Sequence, residues 1–94
     1  MAEKTYQERL KDQILIHIAL GSELTRRGVE NVIIWMPFLN LSMTHLKQFA
    51  EEVADKLEPV ARSCSRKAKA LINGYTYTVD PAPGIGTVIF VLSY

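Results

Sequence analysis

The sequence predicts an α+β protein, a two-layer sandwich in the order α-β-α-β-β-β with two helices packed on a mainly antiparallel sheet. Three observations lead there. A capping box opens a long segment with helical apolar spacing, an Asn-Gly pair sits between two alternating runs, and a β-branched run follows a Pro/Gly-rich loop. Helices that share one face of an antiparallel sheet are the simplest way to bury both patterns.

The first helix is expected over residues 5–27. Thr5-Tyr6-Gln7-Glu8 fits the capping box, in which hydroxyl and carboxylate satisfy each other's orphan backbone donors. Tyr6, Leu10, Ile14, His17, Ile18, Leu20 and Leu24 follow as its apolar stripe, with Leu15 off that stripe. Arg26 and Arg27 suit the negative end of the helix dipole, and Gly28 suits the position after it. Val32 to Met36 are continuously apolar, the pattern of a strand buried on both faces, and Pro37 ends its pairing. A second helix is expected from Ser42 to Leu57, with Leu46, Phe49, Ala50, Val53 and Leu57 inward, and Pro59 either ends it or opens another short turn.

The stretch KALINGYTYTVD carries the strongest local signal, because Asn-Gly favours the two-residue turn that matches strand twist. With Asn73-Gly74 as the loop, Ile72 faces Tyr75, Leu71 faces Thr76, Ala70 faces Tyr77, Lys69 faces Thr78, Ala68 faces Val79 and Lys67 faces Asp80. One side then holds Ile72, Ala70, Ala68, Tyr75, Tyr77 and Val79, and the other is rich in Lys and Thr. The last strand, TVIFVLSY, sorts Val88, Phe90, Leu92 and Tyr94 from Thr87, Ile89, Val91 and Ser93. Pro83 to Gly86 read as a loop; a phosphate cradle needs a helix after the glycines, and a strand follows.

Ninety-four residues with 48% hydrophobic and 22% charged side chains are expected to form one domain spanning 1–94. A net charge of +1 leaves any electrostatic function to local patches. Cys64 is the lone cysteine, so no internal disulfide forms. The charged start MAEKTYQERLKDQ lacks the apolar core of a signal peptide, and Val32 to Leu39 is too short to span a bilayer, so a cytoplasmic protein is expected.

Two surfaces stand out. Leu15, Leu71, Ile89 and Val91 are apolar positions expected outside the core, which makes them candidates for a protein interface. Arg62, Arg66, Lys67, Lys69, Thr76 and Thr78 offer donors to phosphate or an acidic partner, although that side lacks stacking aromatics. The acidic run Glu51, Glu52, Asp55 and Glu58 reads as a solvated helix face that, with the basic segment, makes the molecule two-signed. His17, His45 and Cys64 lack the spacing of a metal site or a nucleophile pair, so no catalytic residue and no cofactor is expected. The reading is a small non-enzymatic interaction module that self-associates or docks on a protein partner. It would be an adaptor or an inhibitor, of the kind viruses and mobile elements encode. The alternative is a nucleic-acid-binding protein using the 62–69 segment.

Overall fold

A computed structural model describes residues 4–93. Helix α1 runs Tyr6–Arg26, strand β1 Val32–Met36, helix α2 Leu46–Arg62, and strands β2 Ala68–Ile72, β3 Tyr75–Pro81 and β4 Val88–Leu92. The sheet order is β2-β3-β1-β4; β1 pairs antiparallel with β3 and parallel with β4. The expected α+β sandwich, with its element order, is what the chain adopts. Tyr94, expected on the last strand, lies outside the described residues.

The capping box forms as expected. Thr5 Oγ1 accepts the Glu8 N–H at 3.2 Å, and Glu8 Oε1 accepts the Thr5 N–H at 3.1 Å. The hairpin also forms in the expected register, from Ala68 opposite Val79 to Ile72 opposite Tyr75. Asn73 and Gly74 both take positive φ, 52° and 85°, as the mirror-image turn requires. Of the two tyrosines on the hairpin side that carries Ile72 and Val79, Tyr77 is buried and Tyr75, beside the turn, stays exposed.

Three expectations need correction. The second helix starts later, after a 3-10 turn at Met43–His45, and runs through Pro59 to Arg62. Proline deletes one hydrogen bond near the helix end. The last turn is held instead by buried Ala61 and by Arg62 bonding Glu58 at 2.9 Å. Strand β1 is covered on one face only: Val32, Ile34 and Met36 are buried, while Ile33 and Trp35 turn to the side away from the helices. Continuous apolarity could not separate those cases. Finally, α1 is rotated from its expected stripe. Gln13, Ile16, Leu20 and Leu24 point inward, whereas Ile14 and Ile18 are each 59% exposed.

The helices divide the sheet between them, α1 contacting β4 and α2 contacting β2 and β3. Ile16, Leu20 and Leu24 of α1 and Val53 and Leu57 of α2 meet Ile34, Met36, Tyr77 and Val79 in one core. This leaves β4 at the sheet margin with α1 above it.

Candidate functional site

The two sheet edges are built differently. Strand β2 carries Lys69, with Lys67 just before it, at one edge, and lysines on an edge strand discourage pairing with another chain. Strand β4, the other edge, reads Val-Ile-Phe-Val-Leu, with no charge, proline or bulge. Its hydrogen-bonding direction follows from its neighbours. The Ser93 N–H donates to the Met36 carbonyl at 2.7 Å, and the Thr87 carbonyl accepts the Asn31 N–H at 3.0 Å. In a parallel ladder, alternate residues bond to the same neighbour. Odd-numbered β4 residues therefore bond β1, and Val88, Phe90 and Leu92 direct their N–H and C=O outward. Among the described residues nothing pairs with them.

Above this edge, α1 turns a flank that carries the charged Arg26 in its last turn and is uncharged from Ile18 to Ser22. A groove between helix and strand is lined by His17, Ile18, Gly21, Ser22, Thr25, Arg26, Val88 and Phe90. A Cβ on Gly21 would lie 3.1 Å from Phe90 Cε2, so the glycine is what lets the ring tuck beneath the helix. The Phe90 ring also stacks on His17, with centroids 5.6 Å apart. Ile14 and Ile18 follow one helical turn apart on the same flank.

The sheet face away from the helices is half polar and half apolar. Thr78 stands opposite Trp35 and Asp80 opposite Ile33, while on the other side Trp35 neighbours Val91 and Ile33 neighbours Ile89. Trp35 Nε1 donates to Asp80 Oδ2 at 2.9 Å, and Lys67 Nζ lies 5.7 Å from the Trp35 ring centroid. The expected Lys67–Asp80 pair is present at 4.0 Å. Trp35 thus supplies an aromatic ring where none was expected. An unbroken apolar run hides which of its members face outward.

The four apolar positions read from sequence as an interface do not form one patch. Ile89 and Val91 lie together on the open face beside Ile33 and Trp35. Leu71, 75% exposed, sits across the sheet on β2, and Leu15, 43% exposed, belongs to the helix layer. Ile14 and Ile18, which the apolar spacing puts in the core stripe, complete the β4 side together with Phe90. The run Ile14 to Ile18 is apolar all round, so periodicity alone could not fix its rotation.

The basic candidates also separate. Lys67, Lys69, Thr76 and Thr78 share the open face with Asp80, and Arg66 is exposed just before β2. Arg62 is committed elsewhere: its Nε bonds Glu58 and its Nη2 donates to the Arg27 carbonyl. Arg27 in turn meets Glu23 at 2.7 Å, Asp55 at 2.8 Å and Glu58 at 3.2 Å. Arginine hydrogen bonds hold the Glu23 and Glu58 carboxyls below their ordinary range. The acidic run is therefore partly consumed inside the chain, joining α1 to α2, rather than left as a solvated docking face.

His17, His45 and Cys64 are dispersed. Gln13 Nε2 lies 3.2 Å from His17 Nε2, and burial pushes the His17 pKa down. His45 lines a different depression with Gln48, Phe49 and Asn73. The Cys64 Sγ–H is directed at the Arg66 and Val79 carbonyls, and burial, with the Asp80 charge, pushes the thiol up. Such a thiol is a poor nucleophile. Among the described residues no group of three or more His, Cys, Asp or Glu is placed to hold a metal ion, and no helix is long and apolar enough to cross a membrane.

Comparison of the chain with known protein families, with curated proteins and with solved structures gives no match. Of the two sheet edges, β4 is the one whose strand carries no charged side chain.

Proposed function

We propose that this protein is a small non-enzymatic interaction module whose docking surface is the side formed by β4 and α1. The observation that carries the reading is the undefended β4 edge. Natural sheets guard their margins with charge, proline, bulges or cover, and here β4 alone of the two edges has none of these. The exposed Ile14 and Ile18 extend the same side into the helix layer. Backbone groups give such an edge affinity for a strand, and the apolar flank supplies a water-excluding contact.

Size-exclusion chromatography with light scattering, at low and high salt, tests the reading. A dimer or larger species that persists at high salt is expected, because an apolar and backbone-paired contact is little screened. A monomer at every concentration would remove self-association from the proposal.

A second reading has one observation in its favour. Trp35 lies on the open face beside Lys67, an arrangement that single-stranded nucleic acids use for stacking and charge contact. Trp35 is the only tryptophan, so its fluorescence reports directly on that face. Quenching by a mixed-sequence oligonucleotide that reverses at high salt would support this reading. Unchanged fluorescence would dismiss it.

A further inference from the structure

We infer that the partner of the β4 edge is β4 of a second copy of this chain, paired antiparallel about a two-fold axis at Phe90. The inference rests on the interaction reading above and commits it to one occupant and one register.

The hydrogen bonds set the register. Outward groups stand on Val88, Phe90 and Leu92, and reversing the strand about Phe90 puts Phe90 opposite its own copy and Val88 opposite the partner's Leu92. All three residues then fall in hydrogen-bonded pairs, and Ile89 and the partner's Val91 form the intervening non-hydrogen-bonded pair. A shift by one residue would oppose outward groups to inward ones and leave the edge unsatisfied.

The helix layer argues for a second copy rather than any extended peptide. Because α1 stands above β4, an incoming strand fills only the sheet layer and leaves Ile14 and Ile18 in water. A second copy brings its own α1 flank. Phe90 lies against both His17 and Gly21 of α1, and Val88 and Thr25 line the same groove. A two-fold axis at Phe90 therefore brings the Ile18 to Ser22 stretches of the two helices together, antiparallel. Gly21 and Ser22 keep that crossing thin, and no charged side chain stands between Ile18 and Ser22. The contact is isologous and closes on itself, leaving the lysine-bearing β2 edges at the two ends of a continuous sheet.

Cysteine cross-linking in a Cys64→Ser background tests the register. Residues in a non-hydrogen-bonded pair lie about 4.5 Å apart at Cα, within disulfide reach. Mild oxidation of an equimolar mixture of Ile89→Cys and Val91→Cys proteins should give mainly the mixed covalent dimer, with each variant alone giving much less. Leu92→Pro removes an outward N–H that the isolated chain does not use, and Ile18→Lys places a charge at the helix crossing. Each should weaken the dimer about a hundredfold or more with the fold retained by circular dichroism. Dimerisation that survives both changes, with no preference for the mixed cross-link, would overturn this register and leave the broader reading standing. A wild-type chain that is monomeric at all concentrations would overturn self-association as well.

Discussion

The side-chain carbonyl of Gln13 accepts the backbone N–H of Leu39 at 2.8 Å, in a place where Gln13 itself is 2% exposed. The same amide donates to the Pro37 carbonyl at 3.3 Å. One helix side chain thereby satisfies the backbone that leaves β1, just where Pro37 has ended the ladder. Gln13→Leu should cost about 2–3 kcal/mol, because it orphans the Leu39 donor and the Pro37 acceptor while keeping the volume. Denaturant unfolding measures this; a change below about 0.5 kcal/mol would show that water replaces the amide.

The remaining partner of Gln13 makes stability depend on pH. Its Nε2 group faces His17 Nε2, so the neutral imidazole accepts there and the imidazolium would set N–H against N–H. Burial lowers the His17 pKa from 6.5. The unfolded state then binds the proton more readily, and stability falls as pH drops below about 6.5. His17→Gln should flatten the urea midpoint between pH 7 and pH 5. The acid loss due to Glu23 and Glu58 belongs to lower pH, below their ordinary 4.5. An unchanged slope in the variant would assign the effect elsewhere.

At Gly74 the cost is purely conformational. Its φ is +85° and an added Cβ would meet nothing within 4 Å. Gly74→Val should nevertheless lose about 2 kcal/mol, since a β-branched residue resists that region. In a chain of this size that corresponds to a melting temperature lowered by roughly 10 °C. Scanning calorimetry with a Gly74→Asn control, expected to sit much closer to wild type, separates backbone strain from loss of glycine flexibility.

What the sequence showed depended on how local the determining physics was. Thr5 and Glu8 meet across one helical turn, and Asn73-Gly74 selects its turn within two residues, so both were legible together with the register they impose. The faces of β1 and α1 were not. Val32 to Met36 and Ile14 to Ile18 are apolar without interruption, and their orientation is decided by distant groups: Gln13 reaching Leu39, and Phe90 fitting against Gly21. The proposed docking side draws on one of these runs, Ile14 to Ile18, and on β4. The face of Ile89 and Val91 is readable because β4 alternates with the pleat; the outward positions of Ile18 and Trp35 are not, because nothing in their neighbourhood alternates. The bonding of Arg62 is hidden for other reasons: Glu58 lies one turn back on a helix whose continuation past Pro59 the sequence does not announce, and the Arg27 carbonyl comes within reach only when the helices pack.

The final prediction concerns Arg27, which joins the two helices. Its guanidinium contacts Glu23, Asp55 and Glu58, and these bonds raise its pKa further, so it stays charged at any working pH. Glu23 lies on α1 with it, whereas Asp55 and Glu58 lie on α2, so only two of the contacts tie helix to helix. Arg27→Lys keeps the charge but replaces a planar fork with a point donor, which cannot reach all three carboxylates at once. Exposed pairs contribute little singly, so Arg27→Lys should cost no more than about 1 kcal/mol. Arg27→Glu opposes three carboxylates and should cost more, and added salt should restore part of the loss by screening. If Arg27→Glu unfolds at the wild-type urea midpoint in low salt, the ion network is surface decoration and the helices are held by Leu20, Leu24, Val53 and Leu57 alone.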